Sequence, residues 1–188
     1  MRLALISLLM IPFAVGCSGG SEEKPAAAPQ AEAPPNKAQV IELDGFFDGI
    51  ENGCGRNQIL SKALSSAVPS TPYGKKVSQI NAMDVPNHLK KTFAKPELTD
   101  DKDDYSAFTV QILNATYLGF PVTSLTRWQG KENGINGFSI TVTGTPAAVG
   151  AKARSTLNVR EDEDGFGYVM KFDALKDGNT SIGCDTSM

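Results

Sequence analysis

Phe138-Ser139-Ile140-Thr141-Val142-Thr143 decides the fold, because large apolar residues alternate there with small hydroxylated ones. A period of two sends the first set to one side of a strand and the second to the other, so this strand is buried on one face only. Gly144-Thr145-Pro146 follows at once and reads as a turn into a helix. Thr145 suits the N-cap, Pro146 the first helical position, and Ala147 to Ala153 the body.

Working outward, the same period recurs. Phe108, Val110 and Ile112 alternate with Thr109 and Gln111 in a strand that starts at Tyr105 and continues towards Leu118. Gly119-Phe120-Pro121 is expected to turn it, Val122–Gln129 to form the next strand, and Gly130-Lys131-Glu132-Asn133-Gly134 a solvated turn. After the helix, strands are expected at Thr156–Glu161, Phe166–Phe172 and Thr180–Cys184, with Asp164-Gly165 and Asp177-Gly178 as the turns between them.

Before the strands the period is helical. Ile59, Leu60, Ala63, Leu64 and Ala67 place a helix over Asn57–Val68, capped by Asn57 and stopped by Pro69. A shorter one is expected at Val85–Phe93, with Pro86 in its first turn and Val85, Leu89 and Phe93 on one face. Gln39–Phe47 reads as the first ordered segment, and tight turns at Asp48-Gly49, Asn52-Gly53 and Gly55 surround Cys54. The acidic run Asp100, Asp101, Asp103 and Asp104 reads as a solvated loop. Sequential strands with short connections give an α+β domain over residues 39–188: a mostly antiparallel sheet of about five to seven strands, with two or three short helices packed on one side.

Residues 18–38 read differently. Pro25, Pro29, Pro34 and Pro35 sit among Ala, Gln and Glu with almost nothing to bury, which marks a solvated linker reaching at most about 65 Å at ~3.1 Å per residue. Ahead of it, Arg2 and the apolar run Leu3–Val15 are too short for the ~20 residues that span a bilayer and read as an export signal, residues 1–16. Ala14-Val15-Gly16-Cys17 resembles the lipobox of bacterial lipoproteins. That resemblance implies diacylglyceryl transfer to the Cys17 thiol, cleavage before Cys17 and acylation of the new amino terminus. Several acyl chains, at ~0.8 kcal/mol per buried CH₂, make such an anchor stable. Ser18, where inner-membrane lipoproteins of Gram-negative bacteria tend to carry Asp, implies the outer membrane facing the periplasm, or the cell surface.

An ordinary secretory signal would also tolerate cleavage after Gly16, but it would leave an odd thiol in an oxidising compartment. The chain has three cysteines; lipidation uses Cys17 and leaves Cys54 and Cys184 to pair as a disulfide. Cleavage removes Arg2 and no acidic residue, so the mature chain is one unit more negative than the −3 of the full sequence. A mildly acidic chain has no electrostatic case for nucleic acid.

Catalytic signatures are sparse. The single histidine, His88, lies beside Lys90 and Lys91 and reads as a surface side chain, with no serine nucleophile elbow to accompany it. Clustered zinc ligands and glycine-rich phosphate loops do not occur, so neither a metal nor a cofactor is expected. Arg160-x-Asp162-x-Asp164-Gly165 falls in the register of a calcium loop, but Arg160 and Lys171 occupy the first and last ligand positions and argue against it. Arg127 and Trp128 are residue types favoured as binding anchors, and alternation allows only one of them into the core. A tryptophan packed in the core or at the sheet rim is the ordinary alternative.

The expected function is therefore a lipid-anchored, non-catalytic envelope protein. It would be held to the membrane through Cys17 and would bind a protein or another envelope component. Inhibition of a lytic or proteolytic enzyme, and hydrolysis at an unfamiliar site, are the alternatives. For the anchor, Cys17→Ala should leave an uncleaved precursor and abolish fatty-acid labelling; labelling that persists in the variant would sink the argument.

Overall fold

The computed structural model describes residues 39–68, 70–159 and 168–187. These belong to one compact unit, Lys37–Met188. The signal and lipobox, the linker, Pro69 and the Arg160–Gly165 segment all lie outside the described residues.

The fold is α+β, as expected. The chain runs β1 (Ile41–Glu42), α1 (Asp44–Phe47), α2 (Gln58–Ala67), β2 (Glu97–Asp101), β3 (Tyr105–Gln111), β4 (Ala115–Tyr117), β5 (Phe120–Gly130), β6 (Asn136–Val142), α3 (Pro146–Thr156), β7 (Lys171–Ala174) and β8 (Thr180–Asp185). The described strands form one eight-stranded sheet. Strand β5 is its spine: it pairs with β3 and β4 along one edge and with β6 along the other, and the sheet continues through β8 to β7. Every pairing is antiparallel except that of β1 with β4. Because β8 enters between β6 and β7, the segment β6–α3–β7 is a split β-α-β crossover.

Alternation is realised as read. Phe138, Ile140 and Val142 are fully buried, and Ser139 and Thr141 lie on the opposite face. Thr145 caps α3 by accepting from the Ala148 N–H at 3.3 Å, with Pro146 opening the helix. Asn57 does more than cap α2. Its Oδ1 accepts from the Leu60 N–H at 2.9 Å, while its Nδ2 donates to the carbonyls of Gly45, Phe46 and Asp48. One amide thus satisfies the start of α2 and the carbonyl end of α1 together.

Several boundaries differ from expectation. Gln39–Phe47 splits into β1 and α1 rather than forming one segment. Val85–Phe93 holds only one 3₁₀ turn, Asn87–Leu89, because Phe93 bridges to Ile112 and Ala94 donates to the Gln111 carbonyl, which draws the chain to the sheet edge. Val85, Leu89 and Phe93 are nonetheless buried. The turn before β5 is Leu118-Gly119, not Gly119-Phe120-Pro121: both residues take positive φ, 53° and 79°, between the paired Tyr117 and Phe120. That is the signature of a two-residue type I′ hairpin. Leu118 is an unusual occupant of that conformation, but its side chain is buried and its N–H donates to Asp44 Oδ1.

Strand β2 was not expected at all. Asp100 and Asp101 pair with Ala107 and Ser106, so the acidic run is not simply a solvated loop. Nor is the turn after β5 fully solvated. The Lys131 ammonium is 1% exposed and donates to Asp101 Oδ1, the Lys75 carbonyl and the Lys102 carbonyl, which uses all three of its protons. Desolvation pushes the Asp101 carboxyl up, but the Lys131 hydrogen bond, the Val77 N–H and the Lys131 and Lys76 charges outweigh it and leave the group below its usual range. In the last third, α3 continues to Thr156 and closes with the Leu157 N–H on the Ala153 carbonyl, so no strand begins at Thr156. Strand β7 starts at Lys171 rather than Phe166 and runs on to Ala174; Phe166 lies outside the described residues.

Cys54 and Cys184 form a disulfide with their Cα atoms 5.4 Å apart. It ties the turn between α1 and α2 to the last strand, 130 residues away in sequence. Closing so long a loop restricts the unfolded chain by about 4–5 kcal/mol at most. Cys184→Ser should therefore lower the melting temperature of the oxidised protein and make it insensitive to reductant. Thiol labelling of denatured, unreduced wild type at both positions would contradict the pairing.

Candidate functional site

Cross-strand register divides the sheet into an inner and an outer face. On the inner face one row reads Phe108, Arg127, Phe138 and Cys184, and the next Val110, Leu125, Ile140, Ile182 and Phe172. Apart from Arg127 these are core residues, and α3 packs on the same side, with Gly150 and Arg154 against the Phe172 ring. The outer face is chemically different. Its rows read Ala107, Trp128, Gly137 and Asp185; then Thr109, Thr126, Ser139, Gly183 and Lys171; then Gln111, Ser124, Thr141, Ser181 and Asp173. Apart from Trp128, no large apolar side chain stands among them.

Alternation thus separates Arg127 from Trp128. Arg127 takes the inner face and is only 7% exposed, which removes it as a surface contact. Trp128 takes the outer face, where it is partly buried rather than in the core. Its indole lies on Gly137, the residue directly across on β6: a Cβ placed there would sit 2.3 Å from two ring carbons. The glycine lets the ring lie down on the sheet, because any side chain would lift it. Nothing in the sequence marks that position, since Gly137 falls between the Gly130–Gly134 turn and the alternating run that starts at Phe138.

Beside the ring is a cleft of about 300 Å³ lined by Trp128, Ser139, Lys171, Asp173, Ser181 and Asp185. Asp185 is held by the Ser187 hydroxyl at 2.7 Å and the Ser187 N–H at 3.0 Å. Those bonds keep its carboxyl below the usual range against the opposing effect of burial, and the Lys171 charge adds to them. Trp128 Nε1, Ser139 Oγ, Ser181 Oγ and the Asp173 carboxylate form no hydrogen bond or ion pair within the described residues. The cleft therefore presents an aromatic surface beside polar side chains that no other described residue engages.

No family model, curated protein or solved structure matches this chain.

Two larger clefts, of about 420 and 530 Å³, flank Asp84 and Val85 beside α2. Asp84, which lines both, pairs with Lys62 at 2.7 Å. His88 is exposed on the 3₁₀ turn, in a separate cleft with Lys91 and Asn114. Cys17 lies outside the described residues.

Trp128 is the only tryptophan, so its fluorescence reports this surface alone. Gly137→Ala should displace the ring, shift its emission to the red and cost about 1–3 kcal/mol of stability, as forced overpacking does. An unchanged emission maximum in the folded variant would contradict the stacking.

Proposed function

We propose that the chain is a lipid-anchored protein of the cell envelope, held through Cys17, that binds an envelope component on the outer face of its sheet without catalysing a reaction. A protein is the partner it fits best. The observation that carries this reading is Trp128 laid flat on Gly137 beside unpaired polar side chains. An aromatic ring held in place by its neighbours, with hydrogen-bonding groups around it, is the usual composition of a binding hot spot. Strands β5 and β6 hold the ring before any partner arrives, so little side-chain freedom remains to be lost on binding.

The anchoring part of the reading rests on the lipobox resemblance and on cysteine parity. A paired Cys54 and Cys184 supports it, since disulfides persist in oxidising compartments. A linker that holds the domain off the bilayer would leave the outer face free to meet a partner.

Crosslinking in intact envelopes tests the assignment. A photoreactive residue at Ser139 should capture a discrete partner, and Trp128→Ala should weaken that capture by ~2 kcal/mol or more, about thirtyfold in affinity. Because the ring is not in the core, the same variant should lose far less stability than the ~3–5 kcal/mol of a core tryptophan truncation. Unchanged capture per folded molecule would overturn the assignment.

A further inference from the structure

Arg127 is the least satisfied buried group of the described protein. Its neighbours across β3 and β6 on the inner face are Phe108 and Phe138, and its residue exposure is 7%. Only Nη2 is bonded, donating to Gln129 Oε1 at 3.3 Å, whereas Nε and Nη1 are buried without any acceptor. A guanidinium stays charged in proteins, so this side chain cannot escape its burial by losing a proton. Leaving a buried charge uncompensated costs several kcal/mol. Such a group calls for an acceptor that the described residues do not supply.

The surroundings narrow what that acceptor is. Arg127 is two strands from Cys184, through Phe138, and Cys184 is bonded to Cys54. Arg56 stands two residues beyond Cys54. Neither arginine takes part in an ion pair within the described residues. Burial, with the Arg56 charge adding to it, pushes the Arg127 guanidinium down to about 10, and burial also lowers Arg56. The Cys54–Cys184 bridge thus brings the Arg56 segment to the cross-strand row in which Arg127 lies. Asn136, which pairs with Gln129 in the next row, buries an Oδ1 that is likewise unbonded. The amide can rotate to offer its Nδ2 instead.

We propose that Arg56 and Arg127 form a binding site for one small oxyanion, a carboxylate or a phosphate, on the inner face of the sheet beside the Cys54–Cys184 bridge. The guanidinium geometry matches either group, and charge-assisted hydrogen bonds to it are the strong kind. Because the Arg127 nitrogens are covered, the site admits a small ion or the tip of one acidic side chain, and nothing bulkier. The site is independent of the Trp128 surface, which lies on the other face.

Titration of the mature chain in non-ionic detergent tests this, with sodium phosphate and sodium acetate as separate probes and sodium chloride holding ionic strength constant. Either probe should raise the melting temperature and shift the Arg127 Nε–H resonance along a saturating curve. The tighter of the two identifies the phosphate-like or the carboxylate source. Arg56→Gln alters a half-exposed side chain and should keep the fold while weakening the anion by about tenfold or more. Arg127→Met should remove the anion dependence altogether. The site is overturned if neither probe departs from chloride, or if affinity is unchanged in Arg56→Gln. Should Arg127→Met fail to fold, the Arg56→Gln comparison still decides.

Discussion

The structure depends on the two-residue alternation of β5 from Ser124 to Gln129. This strand is paired along both edges, with β3 and β4 on one side and β6 on the other, so its faces become the faces of the whole sheet. A slip of one residue would carry Leu125 out to water and Trp128 into the core. The register is held by features at both ends. At one end the Leu118-Gly119 hairpin and the register shift between Val122 and Ser124 set the pairing. At the other, Gly130 donates to the Ile135 carbonyl and Lys131 to the Asp104 carbonyl. The disulfide then fixes the helical layer to the inner face, through β8.

Much of the remaining order comes from polar groups that sequence reading assigns to solvent. Lys131 is the clearest case. An ammonium buried to this degree is tolerable only with its protons satisfied, and it gathers the Lys75 carbonyl, Asp101 and the Lys102 carbonyl around one point. Asp101 also accepts from the Val77 N–H, so the loop covering β2 is held to that strand and the strand edge is not left bare. Asn57 plays the same part for α1 and α2. These contacts are local polar networks laid over a core that the apolar pattern specifies.

What was legible follows from that division. The inward set Phe108, Val110, Phe138, Ile140, Ile182 and Cys184, the Thr145 cap and the Asn57 cap could be read because periodicity and capping are local properties. The fold class follows from them. Strand β2 escaped because Glu97-Leu98-Thr99 is exposed throughout and shows no alternation. The Leu118 turn escaped because leucine rarely takes positive φ, and here long-range support from Asp44 selects it. For the candidate surface, alternation established that Arg127 and Trp128 must part. Which of them entered the core depended on register across three strands, and no local signal carries that. The burial of Lys131 left only one trace in the sequence, an acidic run in need of a counter-charge.

An open sheet face has to meet water without becoming an aggregation surface, and the outer rows show how this one does so. Threonine supplies the branched shape that suits a strand while adding a hydroxyl instead of apolar area, and Thr109, Thr126 and Thr141 stand in the outer rows beside Ser124, Ser139 and Ser181. Thr109 and Thr126 satisfy one another at 2.9 Å, which leaves their methyl groups to cover the backbone. Trp128 is the exception. Standing upright it would present much of its surface to solvent, but over Gly137 one side of the ring is taken up by the sheet and only the other is offered outward. The energetic effect is twofold: the apolar area exposed in the free protein is roughly halved, and the orientation of the remainder is set by two paired strands. The aromatic surface is thereby held in position by the fold itself, and the face stays compatible with water.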